Sequence, residues 1–467
     1  MSGAAPDIAR ALFWSLAIAI VFLPKRWALL AYLVIIQVDV SGPGWASPSA
    51  VGLENAIKVG LLPLILLLRT FSLSLLLQWT RPLRLWLLFT AYVAIAGLWS
   101  PYHLSAFKMV AYLFGYALVF LLFTQAWKQG LLDLRQIVAA LWLSLLLAAV
   151  QTYLLGNAFG SPPKQIIEQA RFTTFAPPQS YAAFLICCGV LFLFARGGPP
   201  MPYQRLVLAL SGGGVIVGLL LVGSRYVAIV ALGLLVVAVI ARFEPQWSGA
   251  NLRPAALVKP AGLVLATSIV LIGGAAVVAP HNRIFALRGL VANGRFNPDA
   301  VGTFEWRLEA YRTALDRIES RGLLANVFGS GTSSGAEVIL EFNPTAFKAN
   351  TIDPNRSMHN EFLRAFYEWG VVGSALFFAF LLAMLIGVVR QTRRCGWQTT
   401  WAFWGLLPTL LLGMLLENVL AGSGTPVGTG FALVIAYAAV APSLFAEETE
   451  ATLARAPGAQ LLPATWR

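Results

Sequence analysis

The sequence predicts an all-α polytopic membrane protein of about 12 transmembrane helices, and three observations carry that prediction. Only 11% of the 467 residues are charged and 58% are hydrophobic, whereas a water-soluble domain carries about 25% charged residues. Apolar runs of about 20 residues, enough to cross a bilayer core, recur along the chain. The basic residues gather in every second loop between those runs, which is the bias of loops held in the cytoplasm.

Taken in order, the apolar runs place spans near 11–23, 27–38, 55–68, 85–99, 105–126, 136–155, 179–195, 205–222, 226–241, 257–279, 361–388, 399–420 and 426–443. Lys25 and Arg26 separate the first two runs and are costly at mid-membrane. A short hairpin or broken helix is therefore expected there, and the count stands at 12 or 13. Arg10 before the first run mimics a signal peptide. Pro24-Lys25-Arg26 stands in place of a cleavage site, however, so the run reads as retained.

Five loops are basic: Arg69, Arg81 and Arg84; Lys128 and Arg135; Arg196 and Arg205; Arg242, Arg253 and Lys259; Arg390, Arg393 and Arg394. These are assigned to the cytoplasm. Loops 39–54, 100–104, 156–178, 223–225, 280–358 and 421–425 then face the other way. Residues 1–445 form a single transmembrane domain that includes the large outer loop 280–358. A solvated cytoplasmic tail follows at 446–467.

The net charge of +13 follows from the same loop bias. No basic stretch is interleaved with exposed aromatics, so nucleic acid is excluded as a partner and membrane lipid is the expected surroundings. Cys187, Cys188 and Cys395 give no disulfide framework.

The large loop is the one long polar interval. From Thr303, apolar residues fall at Phe304, Leu308, Tyr311, Leu315 and Ile318, a 4-3-4-3 spacing that predicts an amphipathic helix over 303–321. Thr303 can cap its start, Glu305 suits the positive end of the dipole, and Gly322 can end it. Glu309–Arg312 and Arg312–Asp316 are favourable neighbours on the polar side. Arg307 lies about 60° from the centre of the apolar face, whereas Arg317 points nearly the opposite way and is expected in solvent. Such a helix either lies on the membrane with its arginines near lipid phosphates or turns Arg307 into a cavity.

After the Gly-rich stop Gly329, Gly331 and Gly335, the turn-rich Asp353-Pro354-Asn355 leads to His359. Ser357 or Asn360 can cap the helix that follows. Along it, His359, Phe362, Phe366, Gly370 and Gly373 fall on or near one face, and the glycines allow close approach of a neighbour. Glu361, Arg364 and Glu368 follow at helical spacing, with Arg364–Glu368 expected as an ion pair near the interface.

Other cations lie at span ends on the same face: Arg225 in Gly223-Ser224-Arg225-Tyr226, and Arg171 near Lys164 and Glu168. Glu417-Asn418 come at the outer end of the penultimate span. Arginine suits diphosphate oxygens through its bidentate fork. Mid-span ionisable residues are nearly absent, which counts against a proton- or ion-coupled transporter. No Asp-x-Asp pair, Cys/His ligand spacing or phosphate-binding Gly loop appears, so no cofactor, bound metal or nucleotide-sugar domain is expected.

Three stretches resemble the O-antigen ligase and polymerase family: Gly223-Ser224-Arg225; Trp306-Arg307-Leu-Glu-Ala-Tyr-Arg-Thr-Ala-Leu running on to Gly329-Ser-Gly331; and His359-Asn360-Glu361-Phe-Leu-Arg-Ala-Phe-Tyr-Glu-Trp-Gly370-Val-Val-Gly373. They span roughly 220–390, and the His-Asn-Glu stretch with its two glycines is the most specific. Arg321-Gly322-Leu-Leu departs from the family, which often has a proline there. The resemblance implies a GT-C type fold in the bacterial inner membrane, with the active face periplasmic. The implied donor is a polyprenyl-diphosphate-linked oligosaccharide and the acceptor a glycan or lipid A-core. Other polysaccharide-assembly proteins are further implied partners.

A metal-independent transfer follows from that donor, because the energy lies in the diphosphate linkage. The site expected on these grounds has His359 as catalytic base or as a hydrogen-bond partner of the phosphate, Arg225, Arg307 and Arg171 on the diphosphate, and Asn360, Glu361 and Glu417 in support. Polymerase is the first expectation, ligase the alternative, and a lipid-linked oligosaccharide flippase the third.

Overall fold

The computed structural model describes residues 4–36, 57–70, 81–132, 303–342 and 358–395, with isolated positions between 136 and 143 and at 411, 414, 415 and 420. A two-residue antiparallel ladder, β1 (Val291–Ala292) with β2 (Arg295–Phe296), is also described. The expected spans between 144 and 279, the last span and the tail lie outside these residues, as does nearly all of the span at 399–420.

The first two runs form α1 (Ala4–Phe22) and α2 (Lys25–Ile35). The chain breaks at Leu23-Pro24 because proline has no N–H to donate and pushes the preceding residue out of the helical region. That is the broken helix expected at Lys25-Arg26. The third run is a π turn, Ile57–Leu61, continuing into α3 (Leu62–Thr70). Then come α4 (Arg81–Ala96), a 3-10 turn Gly97–Trp99, and α5 (His103–Lys128).

Within the 280–358 interval lie α6 (Thr303–Ser320), α7 (Leu323–Phe328) and α8 (Ala336–Phe342). The longest helix is α9 (Glu361–Cys395), kinked at Gly370. Among the described residues, three helices are long and apolar enough to cross a membrane: Arg81–Trp99, His103–Lys128 and Glu361–Gly387.

The core sits where α9 packs along α4, which also packs on α5. Phe89 meets Trp369 edge-on at 5.0 Å between ring centroids, and Trp86 meets Phe380 at 4.8 Å. Within a bilayer such contacts stabilise through packing density, since lipid is as apolar as leucine.

Two groups of loop ends are pinned at opposite ends of these helices. Arg69 donates to the carbonyls of Ile20 and Leu23, Gln129 donates to the carbonyl of Thr70, and Arg26 donates to Gln136. Beyond the far ends of α4 and α5, Thr332 of the outer loop donates its N–H to Ala96, and Ser100 donates to Thr332's carbonyl at 2.5 Å. Residue Thr332 and the 96–100 corner thus meet at one end of these helices.

Candidate functional site

The site region is built around the kink in α9. Gly370 adopts φ 60° and ψ −161°, a backbone state that is essentially reserved for glycine. It divides α9 into a first segment, 361–369, and the apolar remainder. A helix end leaves its last four carbonyls without intrahelical donors, and all four of Phe366 to Trp369 are met from elsewhere in the chain. Arg321 donates to Phe366 at 3.0 Å and to Tyr367 at 2.7 Å. The N–H of Ser330 also reaches Tyr367, and that of Gly331 reaches Glu368 at 2.9 Å. The hydroxyl of Tyr92 on α4 donates to Trp369 at 3.2 Å.

Glycine is obligatory on both sides of this seam. A Cβ at Gly370 would stand 2.5 Å from the Gly329 nitrogen, and one at Gly329 would collide with the Glu368 carbonyl. The close approach expected at Gly370 and Gly373 is therefore real. Gly370 meets the Gly-rich loop, whereas Gly373 meets the ring of Tyr92 on α4.

Below the seam, Glu368 is fully buried. It accepts from the Ser333 N–H at 2.8 Å and the Gly335 N–H at 3.2 Å, and faces Arg364 Nε at 3.1 Å. Glu361 faces Arg364 from the other side at 3.7 Å and accepts from the Leu420 N–H at 2.7 Å. The sequence places the Arg364–Glu368 pair near the interface. The pair forms, and it is buried within the protein as part of a three-membered ionic chain, with backbone donors from the folded-back loop around the Glu368 carboxylate.

His359 opens α9 half-buried, with φ +49°. Non-glycine residues held at positive φ cluster at functional positions. Asn360 caps the helix, its side-chain oxygen accepting from the N–H groups of Phe362 and Leu363 at 3.1 and 3.0 Å; Ser357, the other cap candidate, lies outside the described residues. Tyr311 of α6 donates its hydroxyl to the His359 carbonyl at 3.0 Å. Arg307, half-buried, lies one helical turn before Tyr311, so α6 brings Arg307's turn alongside the start of α9. Arg225, Arg171 and Glu417 lie outside the described residues.

Helix α6 has its expected extent, and its contact face overlaps the expected one at Tyr311 and Ile318 but is rotated away from Leu315. Ala310, Thr313 and Ala314 are buried, whereas Leu315 is 50% exposed. Small residues let the helix approach α8 closely, and this rotation carries Arg317 into the contact. Instead of lying in solvent, Arg317 pairs with Glu337 at 3.2 Å and Glu341 at 2.5 Å and donates to the Tyr367 hydroxyl. Burial disfavours its charge, but the hydrogen bonds to Tyr367 and Glu341 outweigh that and hold the guanidinium above its ordinary range. Sequence reasoning also missed the role of Arg321. The signal available was its position directly before Gly322, where the helix must end and its side chain is free to reach onward. At the departure Arg321-Gly322, the chain passes through an extended Gly322 straight into α7.

Below Asn360 an apolar groove of about 650 Å³ follows α9, lined by residues including Phe362, Phe378, Leu382 and Leu411. No cluster of His, Cys, Asp or Glu suited to a metal occurs among the described residues.

No curated protein matches the chain. A family model described as O-antigen ligase matches residues 206–378, a segment that contains Arg225, the whole of α6, the Gly-rich loop and the first half of α9. The match and the resemblance fall on the same stretches, and the match supports an assignment of this segment to the O-antigen ligase and polymerase family.

Proposed function

We propose that the protein transfers an oligosaccharide from a polyprenyl diphosphate to a hydroxyl acceptor on the periplasmic face, polymerising the repeat units of a surface or secreted polysaccharide. The observation that carries the reading is the Tyr311–His359 link, which joins the Arg307 helix to the strained residue opening α9 inside the family segment. The apolar groove beside α9 offers hydrocarbon a path toward the same end of the helix.

In this mechanism the acceptor oxygen attacks the anomeric carbon while His359 takes its proton. The bond from that carbon to the diphosphate oxygen breaks, and its electron pair leaves with the polyprenyl diphosphate. Arg307 and Arg225, with Arg171 as a third, stabilise the charge that develops there. Fixed cations in a low-dielectric cleft do this better than water. Asn360, Glu361 and Glu417 support the arrangement.

A second reading is the ligase, which passes the finished glycan to lipid A-core; the match to the O-antigen ligase family supports it and the polymerase alike. The same match gives no support to the flippase. Purified protein given a synthetic polyprenyl-diphosphate oligosaccharide tests the proposal. Elongation means polymerase, and transfer only to added lipid A-core means ligase. Absence of transfer to either acceptor by folded, monodisperse protein refutes both. Replacing His359 by Ala is expected to abolish transfer without loss of protein from the membrane.

A further inference from the structure

Helix α9 has 35 residues, about 52 Å at 1.5 Å per residue, whereas a bilayer core is about 30 Å thick. Its charged residues lie at the two ends: Glu361, Arg364 and Glu368 before the kink, and Arg390, Arg393 and Arg394 after it. Residues 370–389 between them contain no ionisable side chain and have the length of one crossing. Gly370 therefore marks the membrane boundary, and segment 361–369 stands outside the hydrocarbon.

Helix α7 is fixed at that height. Its last residues meet α9 at Gly370, Tyr92 donates to the Phe328 carbonyl at 2.9 Å, and Trp99 donates to the Gly329 carbonyl at 3.3 Å. At the same level the surface is apolar. Leu323 is 78% exposed and Leu324 74%, with Leu98 at 76% and Phe107 at 71%. Leu104 and Phe328 are also exposed. The patch continues down α4 through exposed Ile95 and Leu88, the flank of a membrane-crossing helix. Leucines flanked by tryptophan at a boundary suit the headgroup–acyl zone, where an aromatic ring with a polar N–H is favoured.

We propose that α7 and the 97–107 corner form a collar seated in the leaflet on that side, with lipid acyl chains covering Leu98, Leu104, Phe107, Leu323, Leu324 and Phe328. The collar does not depend on the glycan-transfer reading. It fixes the kink of α9 at headgroup height, so a phosphate attached to a lipid tail reaches the start of α9 sideways from the bilayer.

The test uses the full chain in nanodiscs of phosphatidylethanolamine and phosphatidylglycerol, with Cys187, Cys188 and Cys395 changed to Ser. Single cysteines replace Leu323, Phe107 or, as a water-facing control, Glu319, and each carries a nitroxide. Labels at 323 and 107 are expected to relax more with oxygen than with a water-soluble nickel chelate, with the reverse at 319. Nickel exceeding oxygen at 323 and 107 overturns the collar. So does low access to both, which would mean that another segment of this chain or a second copy covers the patch. Unsubstituted protein supplies the second measurement: a lipid-confined carbene probe is expected to label the peptide containing 323–328, and an unlabelled peptide overturns the proposal.

Discussion

Replacing Gly370 by Ala isolates the kink of α9. Two costs add there. A residue with a Cβ in this backbone state carries about 1–3 kcal/mol of strain. The added methyl also stands 2.5 Å from the Gly329 nitrogen and the Val327 oxygen, both backbone atoms with little freedom to move. Overpacking of this kind costs about 1–3 kcal/mol more, giving a total of about 2–6 kcal/mol.

The same helix supplies two controls. Gly387→Ala meets nothing within 4 Å and is expected to be neutral or stabilising by up to about 1 kcal/mol. Gly373→Ala meets the side chains of Trp369 and Tyr92, which can shift, and should fall between. The assay is the midpoint of thermal unfolding in detergent, followed by size-exclusion fluorescence, with all variants in one buffer. The expected order of stability is Gly387→Ala, Gly373→Ala, Gly370→Ala. Equal midpoints for Gly370→Ala and Gly387→Ala would refute the claim that glycine is obligatory at the seam.

Other perturbations test the surrounding contacts. Glu368→Ala leaves Arg364 and the Ser333 and Gly335 N–H groups without their carboxylate, which should destabilise by about 3–5 kcal/mol; a midpoint within error of wild type would contradict the buried chain. Tyr311→Phe deletes only the hydroxyl on the His359 carbonyl, a bond worth about 0.5–1.5 kcal/mol. It should lower the rate of glycan transfer by about two- to tenfold while donor KM holds and stability falls by no more than about 0.5–1.5 kcal/mol. Arg321→Lys keeps the charge but cannot reach Phe366, Tyr367, Ser330 and Asn326 at once. Faster proteolysis after α6 is expected, read by limited digestion and mass spectrometry.

Much of this architecture was legible in the sequence because its causes are local. Hydropathy over about 20 residues defines a span whatever its neighbours do. The helices at 81–96, 103–128 and 361–395 accordingly lie where the runs predict them. Pro24 breaks α1 from α2 through its own ring, and Asn360 caps α9 through its own side chain. The family stretches were also readable, since a motif such as His359-Asn360-Glu361 ending in Gly370 and Gly373 is contiguous.

Tertiary structure decided what depends on distant partners. Periodicity assigned α6 an apolar face that includes Leu315, but the helix is turned so that Ala310 and Ala314 are buried and Leu315 is exposed, with Tyr311 and Ile318 still in contact. The carboxylates of α8 and the Tyr367 hydroxyl drew Arg317 inward. The ionic chain Glu361–Arg364–Glu368 is tolerated in the interior only because N–H groups of Ser333, Gly335 and Leu420 arrive from remote parts of the chain. The four carbonyls freed at Gly370 are met by residues 92, 321, 330 and 331. A sequence states the backbone's demand for donors wherever a helix stops; only the folded chain determines which residues supply them.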